Sequence, residues 1–145
     1  MREHMGLFRG KRVDNGEWVE GNLVDCPQNF RCKRIVNFGC LSAGVITRWE
    51  QDVIPETVGE CTGLKDKNGK LIFEGDIVDC WSEGVQAKGI IQRRVDGLWF
   101  IYPAWQKRII WSLRPNRNGE TTVKIIGNIH DNPELMEGAG EHATD

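Results

Sequence analysis

The sequence is punctuated at four places by Asn-Gly or Asp-Gly: Asn15-Gly16, Asn68-Gly69, Asp96-Gly97 and Asn118-Gly119. Each lies between runs rich in Val, Ile and aromatic residues. Such dipeptides suit the two-residue type I′ turn, in which both positions take positive φ, and that turn joins antiparallel strands. The flanking runs, among them VQAKGIIQRRV, LWFIYP and VKIIGNI, carry no sustained helical period. An all-β chain of short antiparallel strands is therefore expected. The best helix start is DNPELM, where Asn132 can cap, Pro133 takes the first helical position and Glu134 faces the positive end of the dipole, giving one short helical turn near the C-terminus.

Two-residue turns also predict register, because opposite residues count outward from the loop. Around Asp96-Gly97 this sets Val95 against Leu98, Arg94 against Trp99 and Arg93 against Phe100. Around Asn15-Gly16 it sets Val13 against Trp18 and Lys11 against Glu20, with Trp18 as the main buried anchor of its unit.

The runs NGEWVEGNLVDC (15–26) and NGKLIFEGDIVDC (68–80) echo each other closely. The simplest reading is one folding device used twice. Asn-Gly turns the chain, apolar residues leave on the second strand, and Gly21 or Gly75 marks a bulge or a close backbone approach. Each copy would open one small β-unit, with the boundary near VIPETVGECTG. That divides the chain into an N-terminal unit (1–58), a C-terminal unit (59–136) and a tail (137–145) with nothing to bury.

Composition excludes several classes. Nineteen Lys and Arg against twenty-one Asp and Glu leave a net charge of −2, which by itself recruits neither nucleic acid nor an anionic membrane. No apolar run approaches the ~20 residues that cross a bilayer, and MREHMGLFRG lacks the apolar stretch of a signal peptide. A cytoplasmic protein with no membrane contact is expected. Five cysteines, an odd number, fit small buried thiols better than a disulfide framework.

The segments PETVGECTGLKDKNGKLIFEGDIV (55–78) and IIGNIHDNPEL (125–135), with FRGKRVDNGEWVEGNLV near the start, resemble the YopX family of bacteriophage and prophage proteins. The likeness runs from Leu7 to Met136, while residues 25–50 and 80–120 carry no motif of it. The resemblance implies an all-β protein in two parts, the second a small SH3-like barrel, encoded by a phage or prophage and acting in the bacterial host cytoplasm. It brings no catalytic residue with it.

Residue by residue, reaction chemistry finds little support. His4 and His142 lie near the termini, and His130 beside Asp131 reads as a turn residue. Cys26, Cys32, Cys40, Cys61 and Cys80 lack the spacing of a zinc site, so neither metal nor cofactor is expected. GLKDKNGK has turn glycines but not the G-K-[ST] order that cradles phosphate. The alternative, an enzyme, would rest on a cryptic carboxylate site around Glu74, Asp76 and Asp79.

One stretch stands out electrically. Between residues 85 and 118, seven basic residues (Lys88, Arg93, Arg94, Lys107, Arg108, Arg114, Arg117) meet the single acid Asp96, a local excess of six that leaves the rest at −8. Trp99, Phe100, Tyr102, Trp105 and Trp111 interleave them. Cations that neutralise phosphates and aromatic rings that stack on bases are the means of single-stranded nucleic-acid binding. The same Arg and Trp content suits a protein interface. The candidate binding surface is thus Arg93, Arg94, Trp99, Trp105, Lys107, Arg108, Trp111, Arg114 and Arg117. A non-enzymatic binding module is expected, with nucleic acid or a phage or host protein as partner and with self-association open to it. Against this stands the plainer arrangement of tryptophans in the core and arginines on a solvated face.

Overall fold

The computed structural model describes residues 7–25, 33–40, 44, 46–82, 85–93, 95–104 and 109–136. Among them the strands are β1 (Leu7–Lys11), β2 (Trp18–Asp25), β3 (Lys33–Cys40), β4 (Ile46–Val53), β5 (Gly59–Lys65), β6 (Leu71–Phe73), β7 (Asp76–Ser82), β8 (Val85–Arg93), β9 (Trp99–Ala104), β10 (Ile109–Ser112) and β11 (Lys124–Asn128), with a 3-10 turn at Pro55–Thr57. The class is all-β. One sheet has the hydrogen-bonded order β4-β3-β2-β1-β5-β6 and the other β10-β9-β8-β7-β11. Two compact units divide the chain after Cys61, within β5. The tail 137–145 lies outside the described residues.

In the first unit the sheet curls until its far strand returns to β1. Val13 N–H donates to Asp52 C=O (2.9 Å) and Ile54 N–H to Lys11 C=O (2.8 Å). Two glycines permit the approach. A Cβ on Gly10 would meet the Val53 side chain at 3.0 Å, and one on Gly21 would stand 2.4 Å from the Val36 carbonyl oxygen, well inside contact. Only hydrogen fits at position 21. The buried side chains around this curl include Ile35, Val36 and Val53. Trp18, the expected anchor, is only half-buried. Its ring lies under the Arg9 guanidinium at 4.7 Å and the Lys11 ammonium at 5.5 Å, so it serves the sheet as a cation-covered flank.

The second unit is built around Leu64, Ile72, Val78, Cys80, Ala87, Ile91, Ile101, Leu113 and Val123, with Trp99 and Ile125 packed against them. Alternation supplies this set. Val78 faces Gly89 and Cys80 faces Ala87 across β7 and β8, while Ile91 faces Ile101 across β8 and β9. Cys61 and Cys80 are buried and joined in no disulfide, as expected of small hydrophobes. Cys26 and Cys32 lie outside the described residues, and Cys40 is described only as part of β3. Near the C-terminal end of the described residues Glu134–Met136 are helical, following Pro133. Asn132 Oδ1 accepts from Asn128 N–H (3.3 Å), which ties the turn back to β11.

The two-residue loops are not what forms. In residues 66–70, Asp66 N–H donates to Lys70 C=O (2.8 Å) and Gly69 N–H to Asp66 C=O (3.0 Å), while Asp66 Oδ1 accepts from Asn68 and Lys70 N–H, each at 2.9 Å. Residues 116–120 repeat the scheme. Asn116 N–H donates to Glu120 C=O (2.8 Å), Gly119 N–H to Asn116 C=O (3.1 Å), and Asn116 Oδ1 accepts from Asn118 (2.8 Å) and Glu120 (3.1 Å). Gly69 and Gly119 hold φ of 85° and 77°. These are three-residue loops closed by an Asx side chain and ended by a left-handed glycine. The side-chain oxygen captures the N–H groups that a two-residue turn would leave to solvent.

The same competition shifts both predicted registers. Asn15 Oδ1 accepts from Glu17 N–H (2.9 Å), the loop lengthens, and Trp18 stands opposite Lys11, with Glu20 opposite Arg9. Asp96 Oδ1 accepts from Leu98 N–H (3.1 Å), and Arg93, not Arg94, faces Trp99, with Gln92 facing Phe100. Nor do the echoed segments fold alike. β2 runs straight through Gly21, whereas Gly75 (φ 91°) turns the chain between β6 and β7.

Three outcomes test these assignments. Gly21→Ala should cost about 1–3 kcal/mol in urea unfolding, because the Val36 carbonyl must move. Asp66→Asn should cost about 1–3 kcal/mol as well, since an amide has one oxygen and its NH2 cannot accept from a backbone N–H, whereas Asn116→Asp should stay within about 0.5 kcal/mol. Burial, followed by the charge of Asp79, pushes the Cys80 thiol from 9.0 up to about 11. The folded chain therefore holds that proton more tightly than the unfolded one. This stability is full below pH 9 and is lost as pH rises toward 11. Cys80→Ala should flatten that segment of the stability profile, measured by urea unfolding at each pH.

Candidate functional site

The twin turns of the second unit are fastened side by side. Lys65 N–H donates to Gly119 C=O and Thr121 N–H to Lys65 C=O, both at 2.8 Å, and the Thr121 hydroxyl donates to the same carbonyl at 2.9 Å. Lys67 N–H then reaches Val123 C=O (2.9 Å). Beneath them Asp66, 2% exposed, uses its second oxygen, Oδ2, to accept from Ile125 N–H at 3.1 Å. A buried carboxylate is costly unless its oxygens are occupied, and here backbone amides occupy both. The turns cannot slide without stranding that charge.

With the backbone spent on holding the turns, the side chains between the fixed positions project outward. Lys65, Lys67, Lys70, Arg114 and Arg117 are all exposed, and the acid among them is Glu120. Lys67, Arg114, Pro115, Asn116, Glu120, Thr121 and Thr122 line an open depression of about 530 Å³. Lys67 and Arg114 against the one acid Glu120 give this lining a net positive charge, which suits an anionic ligand. Lys65, Lys67 and Lys70 form no part of the basic stretch legible in sequence. The signal that finds them is the pattern shared by DKNGK and NRNGE, an Asx two residues before Asn-Gly.

The candidate residues named from sequence divide between two places. Arg114 and Arg117 belong to this turn face. Arg93 and Trp99 lie at the neighbouring end of the sheet, joined to it where Leu113 N–H donates to Trp99 C=O (3.2 Å). The Arg93 guanidinium stands over the Trp99 ring at 5.8 Å while that half-buried ring packs on the core. Trp99 therefore fits the plainer arrangement of a core aromatic beneath an arginine. Lys88 faces Asp79, which Lys124 faces from the other side, so it is drawn into a cross-strand charge row. Arg94, Trp105, Lys107 and Arg108 lie outside the described residues. Trp111 stands in β10 opposite Ile101, and its side chain is likewise not described.

The carboxylates considered for catalysis have structural surroundings. Asp76 is 2% exposed and its Oδ2 accepts from Phe73 N–H (2.8 Å) at the β6–β7 turn. Glu74 is exposed in the same turn, and Asp79 stands between Lys88 and Lys124 in the register. His130 is a turn residue whose N–H donates to Asn128 Oδ1 (2.9 Å). Among the described residues no three His, Cys, Asp or Glu side chains gather as a metal site. No helix among them is long and apolar enough to cross a membrane.

No curated protein matches the chain. The family model described as YopX protein matches residues 7–137, a span that takes in the curled first sheet, the twin turns and the helical residues after β11, and the chain accordingly belongs to the YopX family.

Proposed function

We propose that this YopX-family chain is a non-enzymatic binding module of phage or prophage origin. It works in the bacterial host cytoplasm, and its second unit is a small barrel of the SH3-like type whose basic turn face holds the phosphate backbone of nucleic acid. The observation that carries this reading is the depression between the twin turns, rimmed by Lys67 and Arg114 and flanked by exposed Lys65, Lys70 and Arg117. A chain of net charge −2 repels phosphate at long range. Binding therefore depends on cations clustered within a Debye length of about 8 Å at physiological salt. The covered ring of Trp99 leaves base stacking a minor part there, so recognition is of backbone and indifferent to sequence. Asp66 and Asn116 serve as scaffold for the face.

Fluorescence anisotropy with a labelled single-stranded oligonucleotide tests this. Log affinity should fall linearly with log salt, with a slope of about −0.7 for each phosphate neutralised. Lys67→Glu with Arg114→Glu should weaken binding to all sequences alike and flatten the slope by about two contacts. Absence of binding at low salt would overturn the nucleic-acid reading and turn the same surface toward an acidic protein partner.

A further inference from the structure

The first unit carries a second surface, independent of the turn face. Strand β4 ends its sheet, and its outer edge is covered only in part among the described residues. Asp52 C=O is taken by Val13 N–H, which fixes which backbone groups point outward. Those of Asp52 do, and because the β3–β4 ladder runs without a register shift from Lys33 to Cys40, those of Glu50 and Arg48 point outward with them. Val13 closes the edge at Asp52, and among the described residues no strand pairs with 47–51 on that side.

On this open segment the side chains read Arg48, Trp49, Glu50, all exposed, with Trp49 at 49%. Edge strands are usually protected against pairing by charge, lysine above all, because like charges meet across the new ladder. Here the order is antisymmetric about the tryptophan. Two copies aligned antiparallel and centred on Trp49 place Arg48 against Glu50 of the second copy, twice, by the two-fold axis. A parallel alignment would set like against like. The backbone agrees with the antiparallel register. Arg48 and Glu50 of the second copy exchange both hydrogen bonds, and the two Trp49 residues become the non-hydrogen-bonded pair, whose side chains approach most closely. Glu50 already meets Arg48 and Arg34 within the chain, so a second arginine joins an existing network of alternating charge.

We propose that residues 47–51 of β4 form a self-association edge whose partner is β4 of a second copy, paired antiparallel about Trp49. The interface is isologous and short, bounded by Val13, and belongs with reversible dimers rather than obligate ones.

Sedimentation equilibrium of the full chain tests this. The natural protein should associate reversibly, and Arg48→Glu and Glu50→Arg should each weaken association at least about tenfold by setting like charges opposite. Mixing the two variants should restore a dimer, because every facing pair is then opposite in sign. The double variant R48E/E50R should associate like the natural protein. Far-UV circular dichroism and melting establish that each exposed-site variant is folded. A natural protein that stays monomeric at its highest soluble concentration, single variants that associate as the parent does, or folded variants that fail to restore each other would overturn the proposal.

Discussion

One buried carboxylate, Asp66, holds the twin turns of the second unit in place. Among the described residues Asp66 has no counter-ion in its hydrogen-bond shell. Its oxygens accept from the amides of Asn68, Lys70 and Ile125, two belonging to its own turn and one to β11. Charge-assisted bonds of this kind are short and strong, and their loss leaves both a buried charge and orphaned amides. Everything on the face follows from that anchorage. The turn 66–70 is tied to β11, the turn 116–120 is laid against it through Lys65, and the depression is lined by residues of both.

The first unit depends on subtraction instead. Where Asp66 works by what its side chain binds, Gly21 works by lacking one, since any Cβ would strike the Val36 carbonyl. The missing atom lets β2 and β3 approach closely in the sheet whose far strand, β4, meets the end of β1. One end of the β4 edge, at Asp52 and Val53, is covered by the chain's own residues 11–13. The segment beyond it is the one whose charges are arranged in opposite signs about Trp49.

Much of this was legible in the sequence, and the failures share one cause. Class follows from the spacing of Asn-Gly and Asp-Gly among β-prone runs, and the family is legible in the segments 55–78 and 125–135. Register departs from the two-residue count because an Asx side chain, within the dipeptide at Asn15 and Asp96 and two residues before it at Asp66 and Asn116, competes for the turn's amides. Asp66, Asn116, Asp96 and Asn15 each capture an amide, and in so doing lengthen the loop and move Arg93 opposite Trp99 and Lys11 opposite Trp18. The obvious echo of 15–26 and 68–80 likewise hid the pair that folds alike, DKNGK and NRNGE. Half the basic face escaped notice for a related reason. Lys65 and Lys67 lie far from Arg114 along the chain, and only the bridge from Lys65 to Gly119 and Thr121 brings them together.

The twin turns separate fold from surface chemistry more cleanly than the strands do. Within each five-residue loop, structure is written by the Asx at the first position and the left-handed glycine at the fourth. The second and fifth positions are occupied by Lys67 and Lys70 in one turn and by Arg117 and Glu120 in the other, and the side chains there point to solvent. The Glu120 position shows that a reversed charge is already accommodated without change of backbone. Such a loop is a tolerant carrier. Substitution at those positions can redraw the electrostatic pattern presented to a partner while the hydrogen bonds that define the turn stay as they are, so relatives of one shape can differ in what they hold.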